Sequence, residues 1–514
     1  MAKLFAAIDV GSYEVGMKIM EMSRKEGMKE IDYIRHRIEL GTDTYNTGKI
    51  SLERADELCE TLLRFKAIME EYRVDDYKAY GTSAIRETEN KLIVLEQIKL
   101  RTGLDVEILS NSEQRFLHYK AVASKSEIFS RIMDKVSLLL DVGGGSIQLS
   151  LFENNALVTT QNIRLGILRI RDSMSDFASR STVYEELLLE LIDNQLDSFK
   201  RLYLDDGKKK IESIVIIDDY VSHVIQRYNK NQLVMAEELM RFVDIARTKS
   251  DEYITRLVGL TEESASLLIP SIVLLESVFL MTGATSLWAP GVSLADGIAY
   301  EYAMEHRFVT AGHDFENDAL ECSKRMAERY QSNIPRNELV ERVAVDIFRC
   351  TRKLHGMGKR ELLLLRIAAI LNDCGRFVTL DGAAEASYGI IMASEIIGLS
   401  HAERLIVASI VRYNKVDFEY YTEMVKRTLI ERPDYLRLVK LCAIFRLADG
   451  LCRSFRVKIQ GIRAALKDQN LILTVDTDEN ISLERRFFRR KSDFFTEVFS
   501  VEVTIKQNKR NIAI

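Results

Sequence analysis

FAAIDVGS at residues 5–12 and LLLDVGGGS at residues 138–146 are the two stretches that decide the fold of this chain. Each is a short apolar run, typical of a buried strand, that ends in an aspartate, a valine and a glycine. A tight glycine turn presents backbone N–H groups that bind an anion, and the aspartate can hold a divalent cation beside it. Asp9 and Asp141 lie 132 residues apart (141 − 9). We therefore expect two similar half-domains that face each other across a phosphate-sized cleft.

The length and composition limit the class of protein. A chain of 514 residues is too long for one hydrophobic core, so we expect two to four domains. With 47% hydrophobic and 29% charged residues, the chain is typical of a folded globular protein. The formal net charge of −5 gives no general attraction to polyanions. Phosphate binding must therefore come from local loops and basic patches, and we expect no nucleic-acid partner.

The cysteines and the apolar runs predict a cytoplasmic protein without a membrane partner. The six cysteines show no CxxC spacing, which favours reduced, buried thiols. The N-terminal stretch reaches Asp9 before a signal-peptide core could form. The most apolar later run, at 269–281, contains Pro270 and Glu276 and is too short to span a bilayer.

Hydrophobic periodicity divides the chain into four predicted domains. These are a first lobe at 1–130, a second lobe at 131–308, a helical domain at 309–455 and a small β-containing unit at 456–514. Strands are predicted at 4–10, 15–22, 106–109, 136–141, 147–152, 211–217, 471–475 and 499–505, and helices at 51–72 and 362–371.

Four motifs in a fixed order resemble the Ppx/GppA phosphatases. They are DVGS at 9–12, GTSAIR at 81–86, SNSE at 110–113 and DVGGGS at 141–146, and the match continues through 164–166 and 291–297. That family comprises exopolyphosphatases and guanosine pentaphosphate phosphohydrolases on a duplicated actin-like ATPase fold. The resemblance implies an α/β fold of this kind in the two lobes. It also implies an all-α, HD-like domain that ends near 447–451. The alternating pattern that follows predicts a small α+β C-terminal unit.

The resemblance also implies a site. In that family the glycine turns hold phosphates, Mg²⁺ (or Mn²⁺) bridges carboxylates and phosphate oxygens, and a glutamate activates water for in-line attack. The phosphate-binding positions here are Gly11, Ser12, Thr82, Gly143, Gly144, Gly145 and Ser146. Arg86 is the implied cationic partner of the phosphate, and Asp9, Asp141 and Gln148 stand at the metal positions. A purely structural role, in which Asp9 and Asp141 only tie the turns together, is the alternative.

Several positions depart from the family pattern. The usual base is the second of two acidic residues, but here Glu113 is followed by Gln114. The second metal-site glutamate is replaced by Gln148. Glutamine does not accept a proton at neutral pH, and it is a weak Mg²⁺ ligand. Two aspartates, at 218 and 219, occupy the place where the family pattern has a further phosphate-binding turn. Glu14 adds another negative charge to the first turn.

The helical domain lacks most of a metal centre. Only Asp373 and Asp449 remain of the four ligands of an HD-type site, which favours a scaffold. The other histidines lack ligand spacing and are interpreted as ordinary surface or core residues. The basic cluster RRFFRRK at 485–491 is either a solvated strand or loop, or a patch that guides a polyanion. Long family members are often dimers through this portion, so the resemblance also implies a homodimer.

Two functions remain open at this point. The first is a phosphohydrolase that releases terminal phosphate from inorganic polyphosphate or from a guanosine pentaphosphate-type nucleotide. It requires Glu113 as a base, which is rotated by about 100° from the next helical position, or a metal-bound water. The second is a polyphosphate- or alarmone-binding regulator or scaffold that uses the same cleft without turnover. An actin-like kinase or ATPase has less support, because the expected second glycine-rich turn is missing.

Overall fold

The computed structural model describes most of the chain. The described residues are 2–174, 183–205, 209–218, 221, 222, 225, 233–248, 253, 262–452, 458, 459, 461–467 and 470–508. The chain divides into two compact units, Met1–Asp314 and Phe315–Ile514. Across these described ranges, no helix combines the length and the apolar character that crossing a bilayer requires.

The first unit begins with a five-stranded mixed sheet. Its strands are β1 (Lys3–Val10), β2 (Glu14–Ser23), β3 (Gly27–Arg37), β4 (Asp76–Gly81) and β5 (Glu107–Ile108). The strand order is β3-β2-β1-β4-β5, with β1 antiparallel to β2 and parallel to β4. The strands predicted at 4–10 and 15–22 are thus confirmed. Alternate residues of β1 enter two different cores on the two faces of the sheet, as its continuous apolar sequence requires.

The second sheet of this unit repeats the first. Its strands are β6 (Ser137–Val142), β7 (Ile147–Glu153), β8 (Ala156–Ile163), β9 (Ser213–Ile217), β10 (Leu233–Met235) and β11 (Ser286–Trp288). Their order is β10-β11-β9-β6-β7-β8, so β8-β7-β6-β9-β11 reproduces the order and directions of the first sheet. The expectation of two similar lobes on a duplicated actin-like fold is therefore confirmed. The antiparallel strand β10 is an addition at one edge.

Helices cover both sheets of the first unit. They are α1 (Leu40–Thr47), α2 (Leu52–Tyr72), α3 (Ser83–Glu87), α4 (Lys91–Thr102), α5 (Asn111–Ala123), α6 (Ser126–Met133), α7 (Ile167–Met174), α8 (Val183–Tyr203), α9 (Ala236–Thr248), α10 (Glu262–Thr282) and α11 (Leu294–Glu305). Helix α2 buries Leu58, Leu62, Phe65 and Met69, as its periodicity predicts, and Ser51 caps it by accepting a hydrogen bond from the Arg54 N–H. The apolar run at 269–281 lies in α10, whose C-terminal half contributes to the core of the second lobe.

The second unit starts with a helical array. Its helices are α12 (Phe315–Arg329), α13 (Ile334–Cys350), α14 (Arg352–His355), α15 (Lys359–Ile370), a 3₁₀ turn (Cys374–Phe377), α16 (Ala383–Ala393), α17 (His401–Tyr413), α18 (Tyr421–Thr428), α19 (Arg432–Leu451) and α20 (Ser482–Phe499). A three-stranded sheet of order β12-β13-β14 follows α19, formed by β12 (Gly461–Lys467), β13 (Asn470–Asp476) and β14 (Glu502–Asn508). One hydrophobic core contains residues of both the helices and this sheet.

The basic cluster at 485–491 is helical, and not the strand or loop that the sequence suggested. It lies in α20, where Phe488 and Phe495 are buried seven residues apart. The arginines at 485, 486, 489 and 490 are exposed on the opposite side. This is an amphipathic helical pattern, which the single-residue alternation of a strand does not produce.

Candidate active site

The two glycine turns have the same backbone geometry. The Gly11 N–H donates to the Glu14 carbonyl at 3.0 Å, and the Gly143 N–H donates to the Ser146 carbonyl at 3.0 Å. Each turn connects the first strand of its sheet to the antiparallel second strand. The two lobes therefore share the hydrogen bond that closes the turn, in addition to the repeated aspartate and glycine sequence.

In each turn, one backbone carbonyl accepts a hydrogen bond from the N-terminal end of a helix. The Ser12 carbonyl accepts a hydrogen bond of 2.7 Å from the Gly41 N–H in α1, and the Gly144 carbonyl accepts one of 3.0 Å from the Leu168 N–H in α7. In a trans peptide, the C=O of one residue and the N–H of the next point in opposite directions. The N–H groups of Tyr13 and Gly145 are therefore directed to the side of each turn opposite these helices.

Gly166 allows α7 to approach the second turn. A methyl group at Gly166 would lie 2.2 Å from the Gly144 oxygen and 2.3 Å from the Gly145 carbonyl carbon. Only a hydrogen atom fits against this backbone, so glycine is required here. The motif at 164–166 thus serves to seat the N-terminus of α7 on the turn.

Both turns line one cavity, as the sequence predicted. Its wall contains Gly11 and Ser12 from the first lobe, and Gly143, Gly144 and Ser146 from the second. A methyl group built on Gly144 would be 3.2 Å from the Ser12 Cβ, so the turns adjoin. The remaining predicted phosphate positions are also close by. Thr82 lines the cavity, and the Gly145 carbonyl accepts a hydrogen bond of 2.8 Å from Arg169.

A group of hydroxyls supports the first turn from behind. The Ser12 hydroxyl lies 2.7 Å from the Ser83 hydroxyl and 2.9 Å from that of Tyr45. Burial raises the pKa of the Tyr45 phenol, whereas its hydrogen bonds to Ser12 and Ser83 lower it. Tyr45 therefore stays neutral and fixes the Ser12 side chain at the cavity wall.

Arg86 lies between the cavity and the N-terminus of α5. It donates 2.7 Å and 2.5 Å hydrogen bonds to the Leu109 carbonyl and the Asn111 side chain, and a 3.3 Å bond to the Gln114 side chain. Arg86 and Gln114 both line the cavity. The structure therefore brings the predicted cationic partner and the position of the family base to the same wall.

Glu113 points back to its own helix cap. Its carboxylate accepts hydrogen bonds from the Ser110 N–H at 3.0 Å and from the Ser110 hydroxyl at 2.5 Å, and the Ser110 oxygen accepts from the Glu113 N–H. This is a capping box, which satisfies two of the unpaired groups at the N-terminus of a helix. The side chain of Glu113 is thereby committed to Ser110, and Gln114 is the neighbour that contributes to the cavity wall.

Asp141 is paired with two side chains that the sequence analysis did not select. Its Oδ1 lies 2.6 Å from Arg115 Nη1, and its Oδ2 lies 2.5 Å from His118 Nδ1. Burial alone would raise the pKa of Asp141. The charges of Arg115 and then His118 outweigh the burial and lower this pKa to about 2. Asp141 is therefore ionised and already neutralised at physiological pH.

The spacing of Arg115 and His118 in α5 was visible in the sequence, but nothing in the sequence connected these residues with Asp141. Gln114 and His118 are four residues apart, and Arg115 and His118 are three apart, so the three side chains share one helix face. Helix α5 belongs to the first lobe and Asp141 to the second, and only the tertiary fold brings them together.

The predicted metal residues do not fit a divalent ion as they are arranged. Both oxygens of Asp141 are engaged by Arg115 and His118. The Gln148 amide donates to the Thr160 hydroxyl within the sheet, and this side chain is buried. Among the described residues, no group of three or more His, Cys, Asp or Glu side chains is placed to hold a metal. Asp9 lines the cavity, but without Asp141 and Gln148 it is the one member of the predicted metal set that remains to hold an ion.

Two further carboxylates reach the cavity. Asp218 follows β9, is buried, and accepts a hydrogen bond of 2.9 Å from the Ser222 N–H. Glu14 also lines the cavity, and its Oε1 lies 3.7 Å from Arg35 Nη1. The adjacent Asp219 lies outside the described residues. The wall therefore combines acidic groups with the guanidinium groups of Arg86 and Arg115.

In the second unit, the remaining HD-type positions are bound by basic and amide side chains. Asp449 accepts hydrogen bonds from Arg336 and, at 2.8 Å, from Lys491. Asp373 accepts a hydrogen bond of 2.7 Å from Asn337. Burial alone would raise the pKa of Asp449, but Lys491 and Arg336 hold it well below its ordinary value. These two carboxylates take part in a network of side-chain hydrogen bonds.

Comparisons with known proteins agree with this architecture. The Ppx/GppA phosphatase family matches residues 19–306, and Ppx/GppA phosphatase domain III matches residues 321–490. The guanosine-5'-triphosphate,3'-diphosphate pyrophosphatase of Vibrio atlanticus is 21% identical over 488 residues, which is 92% of each chain. The same-named protein of Photobacterium profundum is 20% identical over 455 residues, 88% of this chain and 87% of that one.

A solved structure shows the same fold. An exopolyphosphatase from Cytophaga hutchinsonii aligns with a TM-score of 0.52 at 19% sequence identity, covering 60% of this chain and 100% of that chain. Because the family match covers more than half of the sequence, and its third domain matches most of the remainder, this chain belongs to the Ppx/GppA phosphatase family.

Proposed function

We propose that the cavity binds the terminal phosphates of a condensed phosphate, and that hydrolysis of this ligand is strongly attenuated. The ligand class is inorganic polyphosphate or the 5′ phosphate chain of a guanosine pentaphosphate-type nucleotide. The observation that carries the proposal is the presence of both glycine turns in one cavity wall with Arg86 and Arg115. Backbone N–H groups and guanidinium groups are the donors that bind phosphate most strongly.

The relatives support the ligand class. One group is named as a pyrophosphatase of guanosine-5'-triphosphate,3'-diphosphate, and one solved structure as an exopolyphosphatase. Both names describe substrates in which successive phosphates are joined by anhydride bonds. A cavity with an anion-binding turn on each side suits such a chain, because neighbouring phosphates can occupy the two turns.

The attenuation follows from the residues at the start of α5. Phosphoryl transfer to water requires a group that positions the water and accepts its proton. Gln114 stands at the cavity wall and is not a base, and the Glu113 carboxylate is hydrogen-bonded to Ser110. Binding groups are therefore retained while the expected base is lost.

A competent phosphohydrolase is the second candidate. Asp9 and Asp218 favour it, because both carboxylates line the same cavity and could accept a proton from water. The two candidates make the same prediction for binding and differ in turnover.

Calorimetric titration with tripolyphosphate tests the proposed binding. The parent is expected to bind, and Arg86→Gln should weaken binding by about tenfold or more, because it removes a charged donor at the cavity wall. The matched control is Arg64→Gln, which removes the same charge from an exposed position on α2. That variant should bind like the parent.

Two results would contradict the binding proposal. One is the absence of any heat with the parent at millimolar tripolyphosphate. The other is an equal loss in both variants, which would indicate general electrostatic attraction. A parallel titration with guanosine 5′-triphosphate compares a nucleotide with the inorganic chain, and tighter binding of either one identifies the preferred class.

A further inference from the structure

The guanidinium of Arg115 lies between the second-lobe aspartate and the second glycine turn. It is 2.6 Å from the Asp141 carboxylate, and it donates hydrogen bonds of 3.1 Å to the Ser146 hydroxyl and 3.3 Å to the Ser146 carbonyl. The Arg115 side chain is 5% exposed and lines the cavity. A cation in this position touches the carboxylate on one side and the proposed phosphate site on the other.

One donor of Arg115 is not used by the protein. Its buried Nε–H makes no hydrogen bond to any residue that the structure describes. A buried N–H without a partner is unfavourable unless a ligand or water satisfies it. The guanidinium of Arg115 therefore brings to the cavity wall a donor that the described hydrogen bonds of the protein leave unused.

Replacing the guanidinium contact by a metal would be costly. A divalent ion on Asp141 would have to displace Arg115, and it would leave a buried guanidinium beside a second cation. The substitution Gln148 has also removed a carboxylate that would have helped to neutralise such an ion. The charge of the cavity is balanced by arginine instead.

We infer that the Arg115 guanidinium takes the place of a divalent cation, so that this cavity binds condensed phosphate without metal. The inference rests on the proposed function, since it requires that the cavity binds phosphate. Arg115 then has both roles of a divalent cation that bridges protein and phosphate: it neutralises Asp141 and contacts the phosphate oxygens. The hydrogen bonds described for Arg86 go to Leu109, Asn111 and Gln114.

The test is tripolyphosphate binding in the full-length protein with EDTA and with excess Mg²⁺, corrected for the magnesium complex of the free ligand. The parent should bind with affinities that agree within about threefold in the two buffers. Arg115→Ala should bind about tenfold or more weakly in EDTA and should recover affinity with Mg²⁺, because the vacated carboxylate becomes available. Arg64→Ala is the control at an exposed site and should follow the parent.

A second readout does not depend on phosphate. Addition of Mn²⁺ to the parent, without tripolyphosphate, should leave the paramagnetic resonance signal of free Mn²⁺ unchanged, whereas Arg115→Ala should reduce it. If Arg115→Ala fails to fold, Arg115→Lys keeps a cation and should still bind tripolyphosphate in EDTA.

The outcomes separate this inference from the proposed function. Binding by the parent that is lost in EDTA and restored by Mg²⁺ would overturn the role of Arg115 and leave the proposed function intact. Loss of the free Mn²⁺ signal with the parent would do the same. No binding by the parent in either buffer would overturn the proposed function and this inference together.

Discussion

In the proposed function, Gln114 is the residue at which binding and chemistry separate, because it differs from the implied glutamate base by one nitrogen in place of an oxygen. Its side chain keeps the size and the direction of a glutamate and still accepts a hydrogen bond from Arg86. It has no proton affinity in the physiological range. The position therefore retains its contribution to the cavity wall and loses the ability to activate water.

Gln114→Glu is expected to raise phosphate release from tripolyphosphate by roughly 100-fold or more, because a positioned general base contributes about 10²–10⁴-fold. The parent should release phosphate at a rate close to that of the buffer. The measurement is free phosphate against time, with and without Mg²⁺.

Glu113→Gln is the matched control for this prediction. Glutamine also completes a capping box, so α5 keeps its N-terminal cap. The variant should leave the low parental rate unchanged. Rapid turnover by the parent that Glu113→Gln abolishes would show that Glu113 is the base, and would refute the role given to residue 114.

The pairing of Asp141 with Arg115 and His118 could not be predicted from the sequence. The aspartate, its valine and its glycines were all visible, and they predicted both a turn and a charged group beside it. Arg115 and His118 were not selected, because neither belongs to a motif. Their role arises from contact between α5 and β6, which belong to different lobes.

Elements were predicted best where local sequence alone determines them. The strands that lead into the turns and the amphipathic helix α2 follow from short-range apolar patterns, and they are present in the structure. Helix α20 was not predicted, because its dense arginines and paired phenylalanines also match a strand or a loop. Burial of Phe488 and Phe495 against the core of the second unit resolves that ambiguity.

Gly166→Ala tests the seating of α7 on the second turn. The new methyl group would meet backbone atoms of Gly144 and Gly145 at 2.2–2.3 Å, so the turn or the helix must move. We expect about tenfold weaker tripolyphosphate binding or more, with a lower midpoint of thermal unfolding. Calorimetric titration and a thermal melt measure the two effects.

Gly389→Ala is the matched control, at a glycine without a close contact. Gly389 lies in helix α16, and nothing lies within 4 Å of the added methyl group. Alanine in such a helical position stabilises by about 0.5–1 kcal/mol. If both substitutions left binding and stability unchanged, the close contact at Gly166 would not be what shapes the turn.

The two units share one feature, which is a buried aspartate paired with basic side chains from other elements. In the first unit Asp141 is paired with Arg115 and His118, and in the second Asp449 is paired with Lys491 and Arg336. Both aspartates occupy positions where the family resemblance implied a metal ligand. The sequence predicted that the second set is too small for a metal centre, but not that basic residues from distant helices would complete it.

Asp449→Asn should destabilise the second unit by about 3–5 kcal/mol, because it leaves the buried Arg336 and the partly buried Lys491 without their counter-ion. The measurement is denaturant unfolding at neutral pH. Tripolyphosphate binding by the first unit should be retained in conditions where the variant is folded.

The pH dependence provides a check on the origin of this effect. The pKa of Asp449 is lowered in the folded state, so its contribution is present above the unfolded value near pH 4 and is lost as the pH falls below it. The parent should therefore lose stability on acidification more steeply than Asp449→Asn. Glu423→Gln, in an exposed pair with Lys426, should change neither the stability nor the slope. A parental acid slope equal to that of Asp449→Asn would contradict the role of the network.

Two adjoining glycine turns and Arg115 are proposed to hold a condensed phosphate without a metal. A crystal structure of the protein grown with tripolyphosphate and Mn²⁺ tests it most directly, because phosphate density and manganese anomalous scattering report both parts. We expect phosphate oxygens on the N–H groups of both turns and beside Arg115, with no anomalous peak at Asp141. Phosphate bound at one turn only, or manganese bridging Asp141 and the phosphate, would contradict it.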